Sequence, residues 1–185
     1  MWEDIRNNTS FRNQVNLFFE KFKEDETPFR YHQYLISKYF ENYPVRGMLF
    51  FHKMGLGKSL LAMLICRILA RDIIFISAKT LHNNFRETLE KYEKITGEEY
   101  KPDIKYVALN ASNMMDQVNH ATLTDLEVML NKNIKMRGSL ANKTIVVDEA
   151  HNFFNSIVNG SANAIKLYKA IIKSDCRLLF LTGSP

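Results

Sequence analysis

Residues Phe50-Phe51-His52-Lys53-Met54-Gly55-Leu56-Gly57-Lys58-Ser59 form an apolar strand that runs into a glycine-containing turn ending in Gly-Lys-Ser. Glycines allow the backbone to curl so that successive N–H groups point inward and form an anion cradle at the start of the next helix. Lys58 supplies a positive charge for the outer phosphates of a nucleotide, and Ser59 supplies a hydroxyl ligand for Mg²⁺. We therefore expect residues 52–59 to bind the phosphates of a nucleotide.

This stretch departs from the phosphate-loop consensus G-x-x-x-x-G-K-[ST] at one position, since His52 stands where the consensus has its first glycine. The flanking sequence nevertheless has the required order of strand, loop and helix. Residues 48–51 predict a short buried strand, and residues 59–70 predict an almost unbroken apolar helix. The alternative is a glycine-containing turn in an ordinary strand-helix unit, because short motifs also occur by chance.

Composition and the distribution of apolar and cysteine residues indicate the general class of protein. The chain has 185 residues, of which 46% are hydrophobic and 24% charged, as in one globular domain. Cys66 and Cys176 follow no spacing pattern, which predicts buried thiols in a reducing compartment. Residues 1–16 lack the apolar segment of a signal peptide, and the apolar run 60–66 is too short to span a bilayer. We expect an intracellular, cytoplasmic protein whose net charge of +5 is compatible with a nucleic-acid partner.

Two helices are predicted ahead of the loop. Residues 1–28 form an N-terminal helical extension, and its apolar residues recur at helical spacing: Phe11, Val15, Phe18, Phe19 and Phe22. A second helical stretch begins near Phe29 and closes before Pro44. It carries Gln33, whose amide can pair bidentately with the edge of an adenine. The alternative for Gln33 is a polar surface residue on an amphipathic helix.

Four further apolar runs predict strands, at residues 73–76, 104–109, 144–147 and 176–181. Helices are expected between strands, from Leu81 to Gly97 and over residues 121–130, and residues 131–143 are expected to form a basic connection. The pattern predicts an α/β fold with a mainly parallel sheet and helices on both faces.

Polar residues follow two of these strands. Open α/β sheets expose functional groups at the carboxyl ends of their strands, so Ser77, Lys79, Thr80 and Asn110 are candidates for contacts with a phosphate backbone. Thr80 is equally well explained as the N-cap of the following helix.

The second motif is the run Thr144-Ile145-Val146-Val147-Asp148-Glu149-Ala150-His151, in which a buried strand ends in two adjacent carboxylates. Asp148 can reach Mg²⁺ through its water shell, and Glu149 can polarise the water that attacks the γ-phosphate. Two acids that merely cap a strand are the structural alternative. The last strand ends in Thr182-Gly183-Ser184-Pro185, a sequence that a simple turn also explains.

In this order the motifs resemble the first RecA-like domain of superfamily 2 helicases and translocases, over residues 29–185. The resemblance implies that Gln33 reads adenine, that residues 52–59 are motif I and 77–80 the region of motif Ia, and that residues 148–151 are the DEAH form of motif II. It also implies a motif III at residues 182–185. His151, Thr182 and Ser184 would then couple the nucleotide state to a second domain.

Within that superfamily the motifs look like those of the large cytoplasmic DNA viruses, in the style of the poxvirus early transcription factor small subunit and nucleoside triphosphate phosphohydrolase. This resemblance implies DNA or RNA as a partner, an association with a viral RNA polymerase, and a location in the viral factory or virion. Family members hydrolyse ATP between two RecA-like domains, and an arginine from the second domain can contribute roughly 10³ to 10⁵ in rate. We therefore expect an N-terminal piece of a longer ATPase that binds nucleotide weakly and hydrolyses it poorly.

Two other functions fit parts of the pattern. One is a phosphate-loop ATPase that acts on protein partners, for example in a ring-forming machine, although Gln33 and the DEAH quartet argue against it. The other is a stand-alone nucleotide-binding subunit without enzymatic activity.

Overall fold

The computed structural model describes residues 9–53, 55–109, 111–123 and 139–184 of the chain. The chain divides into two compact units between Pro44 and Val45. The predicted boundary between an extension of residues 1–28 and a RecA-like domain of residues 29–185 stays a prediction.

The first unit contains two helices, α1 over Thr9–Glu24 and α2 over Tyr31–Asn42. They pack through aromatic rings: the ring of Phe22 lies 5.3 Å from that of Tyr31 and 5.4 Å from that of Tyr34, measured between centroids. Both helices predicted ahead of the loop are therefore confirmed over the described residues.

The second unit is built on one sheet, whose five described strands are all parallel and lie in the order β1-β5-β4-β2-β3. The strands are β1 Gly47–Phe51, β2 Ile73–Ser77, β3 Ile104–Ala108, β4 Thr144–Val147 and β5 Arg177–Thr182. This arrangement confirms the predicted α/β class. Because the strands are parallel, all their carboxyl ends lie at the same edge of the sheet, with β5 between β1 and β4.

Helices cover both faces of the sheet. They are α3 Lys58–Leu69, α4 His82–Thr96 after a 3₁₀ turn at Lys79–Leu81, α5 Met114–Ala121, α6 Ala150–Val158 and α7 Ala162–Lys173. Alternate residues of a strand point to opposite faces. Ile74 and Ile76 of β2 accordingly join the core formed with α5, α6 and α7. The ring of Phe75 stacks on Phe85 of α4, with 3.9 Å between centroids, and α3 packs beside α4. Helices on both faces are thus confirmed.

Strand β1 is less buried than its composition predicts. Phe50 is only 2% exposed, but Leu49 and Phe51 are 54% and 56% exposed. The prediction of a buried strand was wrong because β1 lies at an edge of the sheet, where among the described strands it pairs with β5 alone. Apolar composition cannot distinguish an edge strand from a central one.

The start of α4 also differs from the expectation. Residues 79–81 form a 3₁₀ turn, and α4 begins at His82 with Leu81 as its N-cap and no capping hydrogen bond from a side chain. The interpretation of Thr80 as the N-cap was therefore wrong. The helix ends as predicted at Gly97, which has a left-handed φ of 70°.

The connection between β3 and β4 was assigned only in part. Helix α5 was not predicted, and it ends at Ala121, where the predicted helix 121–130 was to begin. Most of that predicted helix and of the basic connection 131–143 lies outside the described residues. Helices α6 and α7 were not predicted either.

None of the helices that the structure describes is both long and apolar enough to cross a bilayer.

Candidate nucleotide-binding site

The phosphate loop leaves β1 at His52, whose N–H donates a hydrogen bond to the carbonyl of Thr182 at 3.2 Å. Gly55 and Gly57 adopt left-handed φ angles of 79° and 75°. Side chains raise the energy of that conformation by roughly 1–2 kcal/mol, which explains glycine at both positions. Gly57 is the N-cap of α3, and the first backbone N–H groups of a helix have no partner within the helix. They are available to an anion.

Lys58 is the first residue of α3, and its side chain curls back over the loop. Its Nζ donates to the carbonyl oxygen of His52 at 3.0 Å. The ammonium group is thus held between the end of β1 and the start of α3. A phosphate oxygen is a charged acceptor and forms stronger hydrogen bonds than a neutral carbonyl. A nucleotide can therefore displace this contact.

Asp148 follows β4 directly and continues its hydrogen bonding, since its N–H donates to the carbonyl of Ile76 at 2.9 Å. Its Oδ1 accepts the N–H of Glu149, also at 2.9 Å. Burial raises the pKa of Asp148, the negative charge of Glu149 adds to this rise, and the N–H of Glu149 and the charge of Lys58 act in the opposite direction. Lys58 is therefore close enough to Asp148 for its charge to act on this carboxyl.

The strand order brings these two motifs together. Strand β5 alone separates β1 from β4, and neighbouring strands lie about 4.8 Å apart, so the two strand ends are about 10 Å apart. That spacing accommodates phosphates and a hydrated cation between the loop and the acids.

The residues present fit a magnesium nucleotide. The Ser59 hydroxyl and the Asp148 carboxylate are hard oxygen ligands, and Mg²⁺ typically takes one or two protein oxygens and completes its shell with water and phosphate. A Cβ atom placed on Gly55 meets no atom within 4 Å, so the space beside the loop is open. When bound, the cation would neutralise charge on the phosphates.

Glu149 is the N-cap of α6 and has a left-handed conformation, with φ 48° and ψ 51°. Its Oε2 lies 3.3 Å from Nδ1 of His151, and the same nitrogen lies 3.0 Å from Oγ1 of Thr182. The hydroxyl of Thr182 donates to the carbonyl of Ser184 at 2.6 Å. Because a hydroxyl has only one proton, Thr182 must accept from His151, so Nδ1 of His151 carries a hydrogen. The three residues predicted to couple the site are therefore in contact with Glu149 or with one another.

The remaining predicted site residues have different outcomes. Gln33 is buried in the first unit, where its Oε1 accepts the N–H of Arg30 at 3.0 Å, and its contact with adenine stays a prediction. Met54 and Asn110 lie outside the described residues.

Of the residues suggested to contact nucleic acid, Ser77 is misassigned. It is fully buried, and its hydroxyl donates to the carbonyl of Ala78 at 3.0 Å, because β2 extends one residue further than its apolar run. Lys79 and Thr80 are exposed in the 3₁₀ turn that follows.

An apolar groove beside the site was missed by sequence reasoning. It has a volume of about 380 Å³ and is lined by Leu49, Phe51, His151, Phe154, Asn155, Thr182 and Ser184. Among the described residues it forms where β1, at the edge of the sheet, leaves Leu49 and Phe51 exposed. A local sequence pattern does not contain that information, so no signal in the sequence could have revealed the groove.

Comparison with known proteins agrees with this geometry. The family model described as "Type III restriction enzyme, res subunit" matches residues 19–185. The chain belongs to this family. The match supports the resemblance to the first domain of superfamily 2 helicases, because it includes both the phosphate loop and the acidic pair. The matched region begins at residue 19 and therefore also includes Gln33.

Curated viral proteins are similar to this family member. The "Termination factor NPH-I homolog" of African swine fever virus isolate Tick/Malawi/Lil 20-1/1983 is 32% identical over 98% of this chain and 29% of its own length. Isolate Pig/Kenya/KEN-50/1950 gives the same values. The "Early transcription factor 70 kDa subunit" of Melanoplus sanguinipes entomopoxvirus is 26% identical over 76% of this chain and 20% of its own. The chain thus spans less than a third of these relatives.

Among solved structures, the SWI2/SNF2 ATPase core of Sulfolobus solfataricus in complex with dsDNA aligns with a TM-score of 0.48 and 21% identity. The alignment covers 83% of this chain and 31% of that one.

Proposed function

We propose that the chain is the nucleotide-binding first RecA-like domain, over residues 29–185, of a nucleic-acid-dependent ATPase of a viral transcription apparatus. The proposal rests mainly on one observation, which is that the two motifs lie at the ends of strands separated by a single strand. Lys58 and its glycine loop lie at the end of β1, and Asp148 and Glu149 lie at the end of β4. A member of a helicase-type family with this arrangement is suited to bind ATP with Mg²⁺.

The proposed roles follow from the atoms available. The loop amides and Lys58 hold the phosphates, and Ser59 and Asp148 hold Mg²⁺. Glu149 orients and polarises the attacking water, and His151, whose Nδ1 lies 3.3 Å from Oε2 of Glu149, holds that carboxylate in place. Gln33 pairs with adenine through its amide.

The names of the similar proteins support a role in transcription. They are a termination factor homolog of African swine fever virus and an early transcription factor subunit of an entomopoxvirus. We accordingly propose DNA or RNA as the macromolecular partner, a viral RNA polymerase as the associated enzyme, and the viral factory as the site of action.

Efficient hydrolysis is proposed to need a second RecA-like domain. An arginine supplied by such a domain stabilises the charge that develops on the γ-phosphate and contributes roughly 10³ to 10⁵ in rate. His151, Thr182 and Ser184 would carry the nucleotide state towards that domain. The 185-residue chain by itself should bind ATP but hydrolyse it slowly and neither unwind nor translocate.

The experiment that tests the proposal is the Mg²⁺-dependent binding of a fluorescent ATP analogue to the chain. Lys58→Ala should weaken binding at least tenfold, because it removes the ammonium group proposed to hold the phosphates. Lys91→Ala, at an exposed position of α4, is the matched control and should bind like the wild type.

The same assay tests the base. GTP should compete poorly with the analogue in the wild type and as well as ATP in Gln33→Ala. Wild-type binding that Lys58→Ala leaves unchanged would refute the assignment of the phosphate site. Base preference that survives Gln33→Ala would refute only the adenine contact.

A further inference from the structure

The outer face of α7 carries positive charge only. Lys166, Lys169 and Lys173 are all exposed, and the helix Ala162–Lys173 contains no acidic residue. Residues three and four apart lie on the same side of a helix, so the three ammonium groups project from one stripe. None of the ion pairs formed by described residues involves these lysines. The stripe is therefore available to a polyanion.

A neighbouring side of the same helix presents an aromatic ring. Tyr168 is 42% exposed and stands between Lys166 and Lys169 in the sequence, and Ile172 is exposed beside Lys173. The opposite side of α7 is anchored in the core of the second unit through Ala164, Leu167 and Ile171. A rigid helix thus holds the lysines and the tyrosine in a constant arrangement.

Helix α4 shows that this charge pattern is not a general feature of the surface. On α4 the exposed lysines Lys91 and Lys94 alternate with acids, which are Glu87, Glu90 and Glu93. Such a mixed surface is typical of a solvated helix. A single-sign stripe instead attracts a partner of opposite charge.

We propose that the α7 stripe, defined as Lys166, Lys169 and Lys173, binds a single-stranded nucleic acid together with Tyr168, which lies on the neighbouring side of the helix. The lysines contact successive phosphates, and Tyr168 stacks on a base. The stripe extends about 10 Å along the helix, which matches about three nucleotides of a stacked strand. The proposal rests on nucleic acid being the partner in the proposed function. It adds a binding surface on a helix face, apart from the loops at the carboxyl ends of the strands.

The test is fluorescence anisotropy of a labelled oligothymidylate with the whole chain at increasing salt. The triple substitution Lys166→Gln, Lys169→Gln and Lys173→Gln should lower the affinity about tenfold at low salt. Each lost phosphate contact reduces the slope of log K against log salt by about 0.7, so the slope should fall by about 2. The matched control, Lys91→Gln with Lys94→Gln and Lys101→Gln, removes the same charge outside the stripe and should leave both values nearly unchanged.

Tyr168 gives a second, charge-independent readout. Loss of base stacking in Tyr168→Ala should weaken binding roughly fivefold or more, and Tyr168→Phe should restore it because the ring is retained. Equal losses in the stripe variant and its control would overturn the proposal. An absence of oligonucleotide binding by the wild type would also overturn it. The same holds if the wild type binds polyglutamate as tightly as the oligonucleotide and Tyr168→Ala has no effect. Binding of the ATP analogue, measured in parallel, reports separately on the nucleotide site.

Discussion

The carboxyl ends of β1 and β4 both lead into a helix, but through different types of residue. Each strand enters a helix through a residue in the left-handed conformation, which is Gly57 with φ 75° before α3 and Glu149 with φ 48° before α6. At Gly57 the backbone itself is the proposed binding group, and a residue without a side chain adopts this conformation most easily. At Glu149 the side chain is the group with the proposed function, and the residue keeps its side chain despite the strained backbone.

The strain at Glu149 is held by its neighbours. Left-handed backbone costs a residue with a Cβ roughly 1–2 kcal/mol, and such strain persists where the surroundings determine the conformation. Here Nδ1 of His151 contacts Glu149, and Thr182 contacts His151. The comparison teaches that the phosphate loop depends on backbone freedom, whereas the acidic pair depends on a supporting side-chain network.

The largest effect is expected from Gly57→Ala. The added Cβ raises the energy of the left-handed backbone by roughly 1–2 kcal/mol, so the loop relaxes away from the cradle geometry. Affinity for the fluorescent ATP analogue should fall at least tenfold, and the free energy of unfolding should fall by about 1 kcal/mol.

The control for that prediction is Gly97→Ala at the end of α4. Gly97 has a similar φ of 70°, and a Cβ there meets no atom within 4 Å. This variant should lose about as much stability but retain nucleotide affinity. If both alanine variants bound the analogue equally well, the loop at Gly57 would not be the phosphate cradle.

A smaller effect is expected from the comparison of two substitutions at Glu149. Both Glu149→Gly and Glu149→Ala remove the carboxylate, but only glycine also removes the left-handed strain. Part of that relief is offset because glycine gains more conformational freedom in the unfolded chain. The glycine variant should therefore be the more stable of the two, by about 0.5–1 kcal/mol, in urea unfolding without nucleotide. An alanine variant at least as stable as the glycine variant would show that Glu149 is not strained.

The smallest effect concerns the pH dependence of stability. The pKa of Asp148 is raised from its ordinary value of 3.8, mainly by burial, so the folded chain binds this proton more tightly than the unfolded chain. Its stabilising contribution is complete below pH 3.8 and is lost as the pH rises through the raised pKa. Asp148→Asn should remove this loss.

The measurement is urea unfolding at a series of pH values without Mg²⁺ or nucleotide. Asp148→Asn should be more stable than the wild type near neutral pH, and the difference should shrink towards acidic pH. Parallel pH profiles for the two proteins would contradict a raised pKa at Asp148. A gain in stability from removing a functional acid would also fit the usual conflict between stability and activity.

Much of the fold could be predicted because its signals are local. The uninterrupted apolar runs predicted the strands and helix α3, and the helical spacing of apolar residues predicted α1 and α4. Gly97 marked the end of α4 because few other residues adopt a left-handed conformation readily. The order of strand, loop and helix around Lys58 identified the candidate site because this signal is also local.

The misses have specific physical causes. Helix α7 was detectable, since Ala164, Leu167 and Ile171 recur at helical spacing, but α5 has only eight residues and a weak pattern. Ser77 was misassigned because hydrogen bonding to β3 extends β2 beyond its apolar run. The left-handed conformation of Glu149 could not be predicted from the residue type, since glutamate rarely adopts it.

The sequence by itself determined the strands, helices α1 to α4, the glycine loop and the adjacent acids, because each depends on residues that are neighbours in the chain. Only the tertiary structure decided that β5 lies between β1 and β4, that β1 is an edge strand, and that His151 bridges Glu149 and Thr182. Those facts depend on how parallel strands are ordered by their crossovers, which brings together residues far apart in sequence. Strand order is set by the packing of the whole sheet and its helices, so no single segment encodes it.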